Sequence, residues 1–223
     1  MTDAEISQPF IVAIDGPSAS GKGTIARKLA AHLGYAYLDT GLLYRAVGMA
    51  VVRSGGNPAN AELAGRAALA LNPSLVAQWG DDDDLRSDQA SVAASKVAVV
   101  PAVRAALLRF QKDFCAAPPE GKPGAVLDGR DIGTVIAPDA QVKIFVTASV
   151  EARAQRRFKE LQSRGLDSTY EAVLADMLAR DTRDAERAIA PAKPAADAII
   201  LDTTEINTAM ALSAAVAIVT AKI

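Results

Sequence analysis

The 223-residue chain holds one cysteine, one histidine, one tryptophan and few aromatic side chains of any kind, 4% in all. A lone Cys115 excludes an internal disulfide framework and suits a reducing compartment. No apolar run approaches the roughly 20 residues a bilayer span needs. The opening stretch MTDAEISQPF carries acids where a secretory signal carries bases and a long apolar core. The expected setting is the cytoplasm, with no membrane partner. Charge of one sign is missing too: 24 basic side chains face 26 acidic ones, for a net charge of -2. That balance supplies no bulk field for nucleic acid, so any anion must be gripped by individually placed groups.

What is there is a composition that is 50% hydrophobic, enough for one substantial core. Buried-strand candidates fall at Phe10 to Asp15, Ala125 to Asp128, Val142 to Thr147 and Ala198 to Asp202, with a weaker one at Tyr35 to Leu38. Between them, apolar residues return every three or four positions over Gly23 to Leu33, Leu42 to Arg53, Val103 to Phe114, Val150 to Gln162 and Tyr170 to Arg183, the period of amphipathic helices. Continuous apolar strands followed by helices predict an α/β fold with a parallel sheet covered on both faces. From Gly55 to Ser87 the pattern decays into SGGNP, an alanine-rich helix and SLVAQWGDDDD, a small hairpin at best. This reads as an insertion on the core.

The sharpest signal is IDGPSASGKGT. Gly16, four intervening residues, Gly21 and Lys22 follow a strand and precede a helix, the context a phosphate-binding loop requires. Glycines let successive amides face an oxyanion, and the helix adds its positive dipole end. Lys22 supplies a compact cation for the outer phosphates and Thr24 a hydroxyl near the metal. The strict motif has Ser or Thr directly after the lysine, whereas here Gly23 intervenes.

Arginine outnumbers lysine among the basic residues, and its fork suits bidentate capture of phosphate. Arg180, Arg183 and Arg187 recur on one helical face, and Arg153, Arg156 and Arg157 cluster one helix earlier. Nearby acids could balance either set, but beside a phosphate loop they read as anion clamps on a mobile cover. LDTGLLYR offers Arg45 for a phosphate monoester, and VLDGRDIGT ends a strand with Asp128, suited to an outer-sphere role toward Mg²⁺. The other chemically suggestive residues take bland readings. Asp81 to Asp84 lack the alternation of a cation site, Trp79 packs on the insertion, Cys115 is a small hydrophobe and His32 a surface polar group.

GPSASGKGT, LDTGLLYRAV, DGRDIGTVIAPDAQVKIFVTAS and RDTRDAERAIAPAKPAADAIILDT together resemble the bacterial cytidylate kinases, over Phe10 to about Thr203. Adenylate kinases share the GKGT loop but lack the RDxRDxxR run and the DGRD block. The resemblance implies a P-loop kinase with a central five-stranded parallel sheet flanked by helices. It assigns about 10-54, 103-150 and 195-223 to the core, about 55-102 to a monophosphate-binding region with a shortened insertion, and about 151-187 to a helical lid. It implies ATP phosphates on Gly16, Pro17, Ser18, Ala19, Ser20, Gly21, Lys22, Gly23 and Thr24, with lid residues Arg153, Arg156 and Arg157 closing over ATP. It implies an acceptor phosphate on Arg45, Arg130, Arg180 and Arg187, cytosine read by Ser95, Arg104 and Asp131, Thr40 in place of a serine, and a ribose hydroxyl on Asp184. Mg²⁺ would accompany ATP at Thr24 and Asp128.

The expected reaction is transfer from ATP to CMP or dCMP by a monomer, with charge stabilisation from Lys22, Arg130, Arg180 and Arg187. A phosphate oxygen of CMP is already anionic, so no general base is required. Two alternatives remain open on sequence: a P-loop kinase for UMP, AMP or a shikimate-type metabolite, and an ATP-responsive regulator without turnover.

Overall fold

The computed structural model describes residues 8-78 and 84-223. Five strands, β1 (Phe10–Asp15), β2 (Ala36–Asp39), β3 (Gly124–Gly129), β4 (Val142–Thr147) and β5 (Ile199–Asp202), form one sheet in the order β2-β3-β1-β4-β5. Every pairing is parallel, with Asp15 opposite Gly129 on one side and Phe145 on the other. The predicted strands thus appear within a residue or two of their expected bounds. Parallel strands need crossovers, and helices supply them on both faces. Val12, Ile14, Val126, Ile144 and Leu201 pack on one face against α1 (Lys22–Leu33) and α9 (Thr208–Thr220). Ile11, Ala13, Leu38 and Leu127 pack on the other against Phe110 and Phe114 of α6 (Pro101–Ala116).

α9 gives no periodic signal in the sequence, because AMALSAAVAIVT is apolar all round, which erases the 3.6-residue contrast that reveals a helix. Its buried stripe is Ala211, Ala215 and Val219. The insertion departs further from expectation. It is built of α3 (Ala61–Ala70), α4 (Pro73–Gln78) and α5 (Asp88–Val97), with a 3₁₀ turn at Asp84–Arg86 and no strand among its described residues. The first residues assigned to a possible hairpin are helical instead. Trp79 and Asp81 to Asp83 lie outside the described residues, whereas Asp84 pairs with Arg53 at 2.6 Å. α5 packs against α2 (Thr40–Arg53) so closely that a Cβ on Gly48 would lie 2.7 Å from that of Ala93. Two small residues set that approach, so the alanine-rich composition of α5 reflects tight helix packing.

α7 (Val150–Ser163) and α8 (Tyr170–Ala185) form a hairpin with its own small core of Ala154, Leu161, Val173 and Met177, and Phe158 stands edge-on to Tyr170 at 6.4 Å. Capping separates the helices into two groups. Asn60, Ser87, Ser149, Thr169 and Asn207 each cap a helix through the side chain, whereas α1, α2 and α6 begin with no side-chain cap, α6 with a proline in its first turn. The first-turn amides of α1 and α2 are thus left for another acceptor, and both helices start at the carboxyl end of the sheet. Among the described residues no single helix is long and apolar enough to cross a membrane.

Candidate active site

The chain leaves β1 under tight constraint. A Cβ on Gly16 would lie 2.0 Å from the Val146 carbonyl oxygen, so only glycine lets the loop pass β4. Gly21 then enters α1 at φ 88, in the left-handed region. Ala19, Gly21, Lys22, Gly23 and Thr24 line a cavity of about 640 Å³. Gly16, Pro17, Ser18 and Ser20 shape the loop without lining it.

Lys22 Nζ stands 3.7 Å from Asp128 Oδ1. The other oxygen of Asp128 accepts from Tyr37 Oη at 2.8 Å, and a Cβ on Gly23 would come within 3.2 Å of it. The glycine that breaks the strict loop motif therefore keeps the space beside this carboxylate clear. Thr40 donates its hydroxyl to the Asp128 carbonyl at 2.8 Å. Burial, then the Arg130 charge, pushes the Lys22 ammonium down to about 8. Burial, then the Asp39 charge, raises the Asp128 carboxyl.

Across the cavity four arginines converge. Arg130 donates through Nε to Asp184 Oδ2 at 3.2 Å, Arg187 donates to Asp184 Oδ1, and Arg180 Nε lies 4.0 Å from the same carboxylate. Arg45 lines the cavity from α2, its pKa lowered by burial. Burial alone would raise Asp184, but Arg130, Arg187 and Arg180 hold its carboxyl below the ordinary range. Nε of Arg180 and Nε of Arg187 are buried with no hydrogen-bond partner. Buried donors left free in this way favour a further acceptor. Arg180 also reaches the phosphate loop, donating to Ser18 Oγ at 3.0 Å.

A third cluster lies deeper. Arg104 and Asp131 form a buried ion pair, and the Arg104 guanidinium sits 5.9 Å from the Tyr44 ring centroid. Such a pair presents one acceptor edge and one donor fork, suited to a planar polar ring. Ser95 is close by, donating to Asp184 at 3.4 Å and accepting from Arg183 at 3.3 Å.

Thr40, Arg45, Ser95, Arg104, Arg130, Asp131, Arg180, Asp184 and Arg187 thus share one cavity with Lys22, Thr24 and Asp128. Nine cationic side chains and five acids line it, although the chain as a whole is net negative. The three arginines that the resemblance assigns to a lid lie outside this cavity. Arg153 is buried and donates to the Ala148 carbonyl at 3.0 Å, the Ser18 carbonyl at 3.2 Å and Asp181 at 2.6 Å. Arg156 binds Thr203, and Arg157 binds Asp88 and Glu160 beside a second cavity of about 370 Å³. α8 ends at Ala185, so Arg187 lies past the helix and not on one helical face with Arg180 and Arg183 as the spacing predicts; Arg183 is exposed, while Arg180 and Arg187 turn inward on Asp184. Tyr37 and Tyr44 line the cavity with no role expected from sequence, whereas Asp39 ends the strand of the LDTGLLYR stretch expected to converge there. Strand alternation does place Tyr37 and Asp39 on one side of β2. His32 is exposed, and burial raises the Cys115 thiol to about 11, as inert residues require.

A pH effect follows from Lys22. Above about pH 8 the empty site holds it neutral, so triphosphate binding must add a proton. We expect the ATP Kd to rise by up to about tenfold per pH unit beyond that point. Titrations across alkaline pH check this, and Lys22→Arg should flatten the slope.

Comparison with known proteins adds a family. Residues 12–221 match the cytidylate kinase family model. The chain is 60% identical over 212 residues to a cytidylate kinase of Paramagnetospirillum magneticum, covering 95% of this chain and 98% of that one. It is 57% identical over 213 residues to a cytidylate kinase of Rhodospirillum rubrum, covering 96% and 98%. Among solved structures, an uncharacterized protein from Eubacterium ventriosum aligns with TM-score 0.50 and 15% identity, covering 93% and 96%, a likeness of fold alone.

Proposed function

The chain belongs to the cytidylate kinase family, and from that premise we propose a division of labour among its cavity residues. The reaction transfers the γ-phosphoryl group of ATP to CMP or dCMP, giving ADP and CDP or dCDP. The observation that carries the assignment of residues is the pairing of two anion pockets in one cavity: an amide-lined loop with Lys22 on one side, and a three-arginine clamp around Asp184 on the other.

ATP phosphates rest on the loop and the free first-turn amides of α1, with Lys22 at the outer phosphates. The acceptor phosphate engages Arg45, Arg130, Arg180 and Arg187, two of which have unused Nε donors. Cytosine meets Arg104, Asp131 and Ser95, and the ribose meets Asp184. The attacking oxygen belongs to the CMP phosphate and is anionic near neutral pH, so no side chain needs to remove a proton. What the protein contributes is alignment of two anions and neutralisation of charge as it spreads over the transferring group. Burial lowers Arg180 to about 9, which leaves it charged in the working range.

Mg²⁺ with ATP fits the donor set. It binds phosphates and water with one or two protein oxygens rather than a dedicated cage, and Thr24 and Asp128 line the same cavity. When bound, it neutralises charge on the transferring phosphates. Regions 55-102 and 151-187 serve as the monophosphate-binding region and the lid, and closure of the lid excludes water. We read the working form as a cytoplasmic monomer, since one chain supplies both pockets.

The test is an acceptor panel of CMP, dCMP, UMP, AMP and GMP with ATP and Mg²⁺. Cytidine nucleotides should dominate, and a purine preference would overturn the assignment. Asp131→Ala should raise the KM for CMP by about tenfold to a hundredfold while leaving that for ATP near normal, the loss of one base-reading hydrogen bond.

A further inference from the structure

A buried carboxylate that phosphoryl transfer does not use sits at the seam between the two pockets. Asp15 is the last residue of β1, directly before Gly16, and is only 5% exposed. Its Oδ1 accepts from the backbone N–H of Ile132 and its Oδ2 from that of Gly133, both at 2.8 Å. These amides open a π-helical turn over Ile132–Ile136. The two residues before the turn are Arg130 and Asp131, which reach into the cavity from the acceptor side.

One side chain thus spends both oxygens on two consecutive amides, which removes its freedom to rotate and ties the acceptor loop to the end of β1. The other side of Asp15 is equally constrained, because Gly16 is pressed against the Val146 carbonyl. Donor loop and acceptor loop therefore meet at one rigid junction. The arrangement is costly: burial pushes the carboxyl up to about 6 even with two amides opposing the shift. Asparagine would cost less to bury, but it accepts at one end only and would turn an NH₂ group toward the second amide. The charged residue is the one that can hold both.

We propose that Asp15 is a positioning residue for the acceptor site, holding Arg130 and Asp131 at a set height over the phosphate loop so that the incoming phosphate and its base fall in register with ATP. This rests on the acceptor assignment given above. In Asp15→Asn, with ATP and CMP varied separately, the KM for CMP should rise at least tenfold and that for ATP stay within twofold. Amide exchange at Ile132 and Gly133 should quicken while the thermal melt remains cooperative. Equal changes in both KM values, or loosened amides with an unmoved KM for CMP, would overturn the proposal by leaving a purely structural tie. Should the Asn variant fail to melt cooperatively, Asp15→Ser, which leaves room for a bridging water, is judged by the same split. If neither folds, the carboxylate serves the fold and the proposal falls. A wild-type chain that does not phosphorylate CMP would remove the acceptor assignment itself, a result distinct from an active wild type beside an unaffected variant.

Discussion

Lys22→Ala should lower kcat by about a hundredfold to a thousandfold, the loss of about 2.7–4 kcal/mol expected for one preorganised charge at a reacting centre. The fold should survive. Lys22 is held partly desolvated, with its ammonium pushed down to about 8, so the burial penalty it carries offsets much of what its 3.7 Å pairing with Asp128 contributes. Asp128 then loses its cation but keeps the hydrogen bond from Tyr37. Single-turnover kinetics beside a thermal melt separate the two effects. A slow enzyme with a near-normal melt supports the loop assignment. Near-normal turnover would show that the phosphates lie elsewhere.

Asp184→Ala should give the largest loss of stability. Arg130, Arg180 and Arg187 surround that carboxylate, and removing it leaves three guanidinium groups in mutual repulsion with little solvent to screen them. Breaking such a buried set costs about 3–5 kcal/mol. For a chain of this size that lowers the melting temperature by roughly 6–20 °C. The sign of the pH dependence is set by the depressed carboxyl. Its stabilising contribution is fully present above the ordinary carboxylate pKa and is lost as pH falls through the lower folded value. The variant should therefore lose part of the acid-induced drop in stability seen in the wild type. Inorganic sulfate should raise the variant's melting temperature more than the wild type's, because an anion replaces the missing charge. An equal response to sulfate would mean that the arginines do not depend on Asp184.

Much of this was legible from sequence where the signal is local. Phe10 to Thr24 announces itself because a strand, a glycine-rich turn and a helix must follow in order for amides to converge on a phosphate. The parallel sheet is legible for a similar reason: strands buried on both faces, as β1 and β3 are, have no polar alternation, whereas β5 reads alike in sequence but leaves Ile199 and Ile200 exposed at the sheet edge. α5 and α9 were hidden because alanine-rich and wholly apolar helices lack the contrast on which periodicity depends. The clusters Arg153, Arg156, Arg157 and Arg180, Arg183, Arg187 look alike in sequence, yet the second sends two members onto Asp184 while the first ties α7 to Ser18, Thr203 and Asp88. Helical spacing tells which residues share a side of one helix, not what lies opposite.

Sequence alone determined the phosphate loop and the α/β class, because each shows in local runs of chain: a glycine-rich turn between strand and helix, and apolar strands alternating with amphipathic helices. Tertiary structure alone decided that Asp15 clasps the Ile132 and Gly133 amides, that Tyr37 holds the carboxylate beside Lys22, and that Asp184 gathers arginines from two separate segments. The reason is distance along the chain. Asp15 and Gly133 are 118 residues apart, and only the parallel crossover between β1 and β3 brings their polar groups within bonding reach.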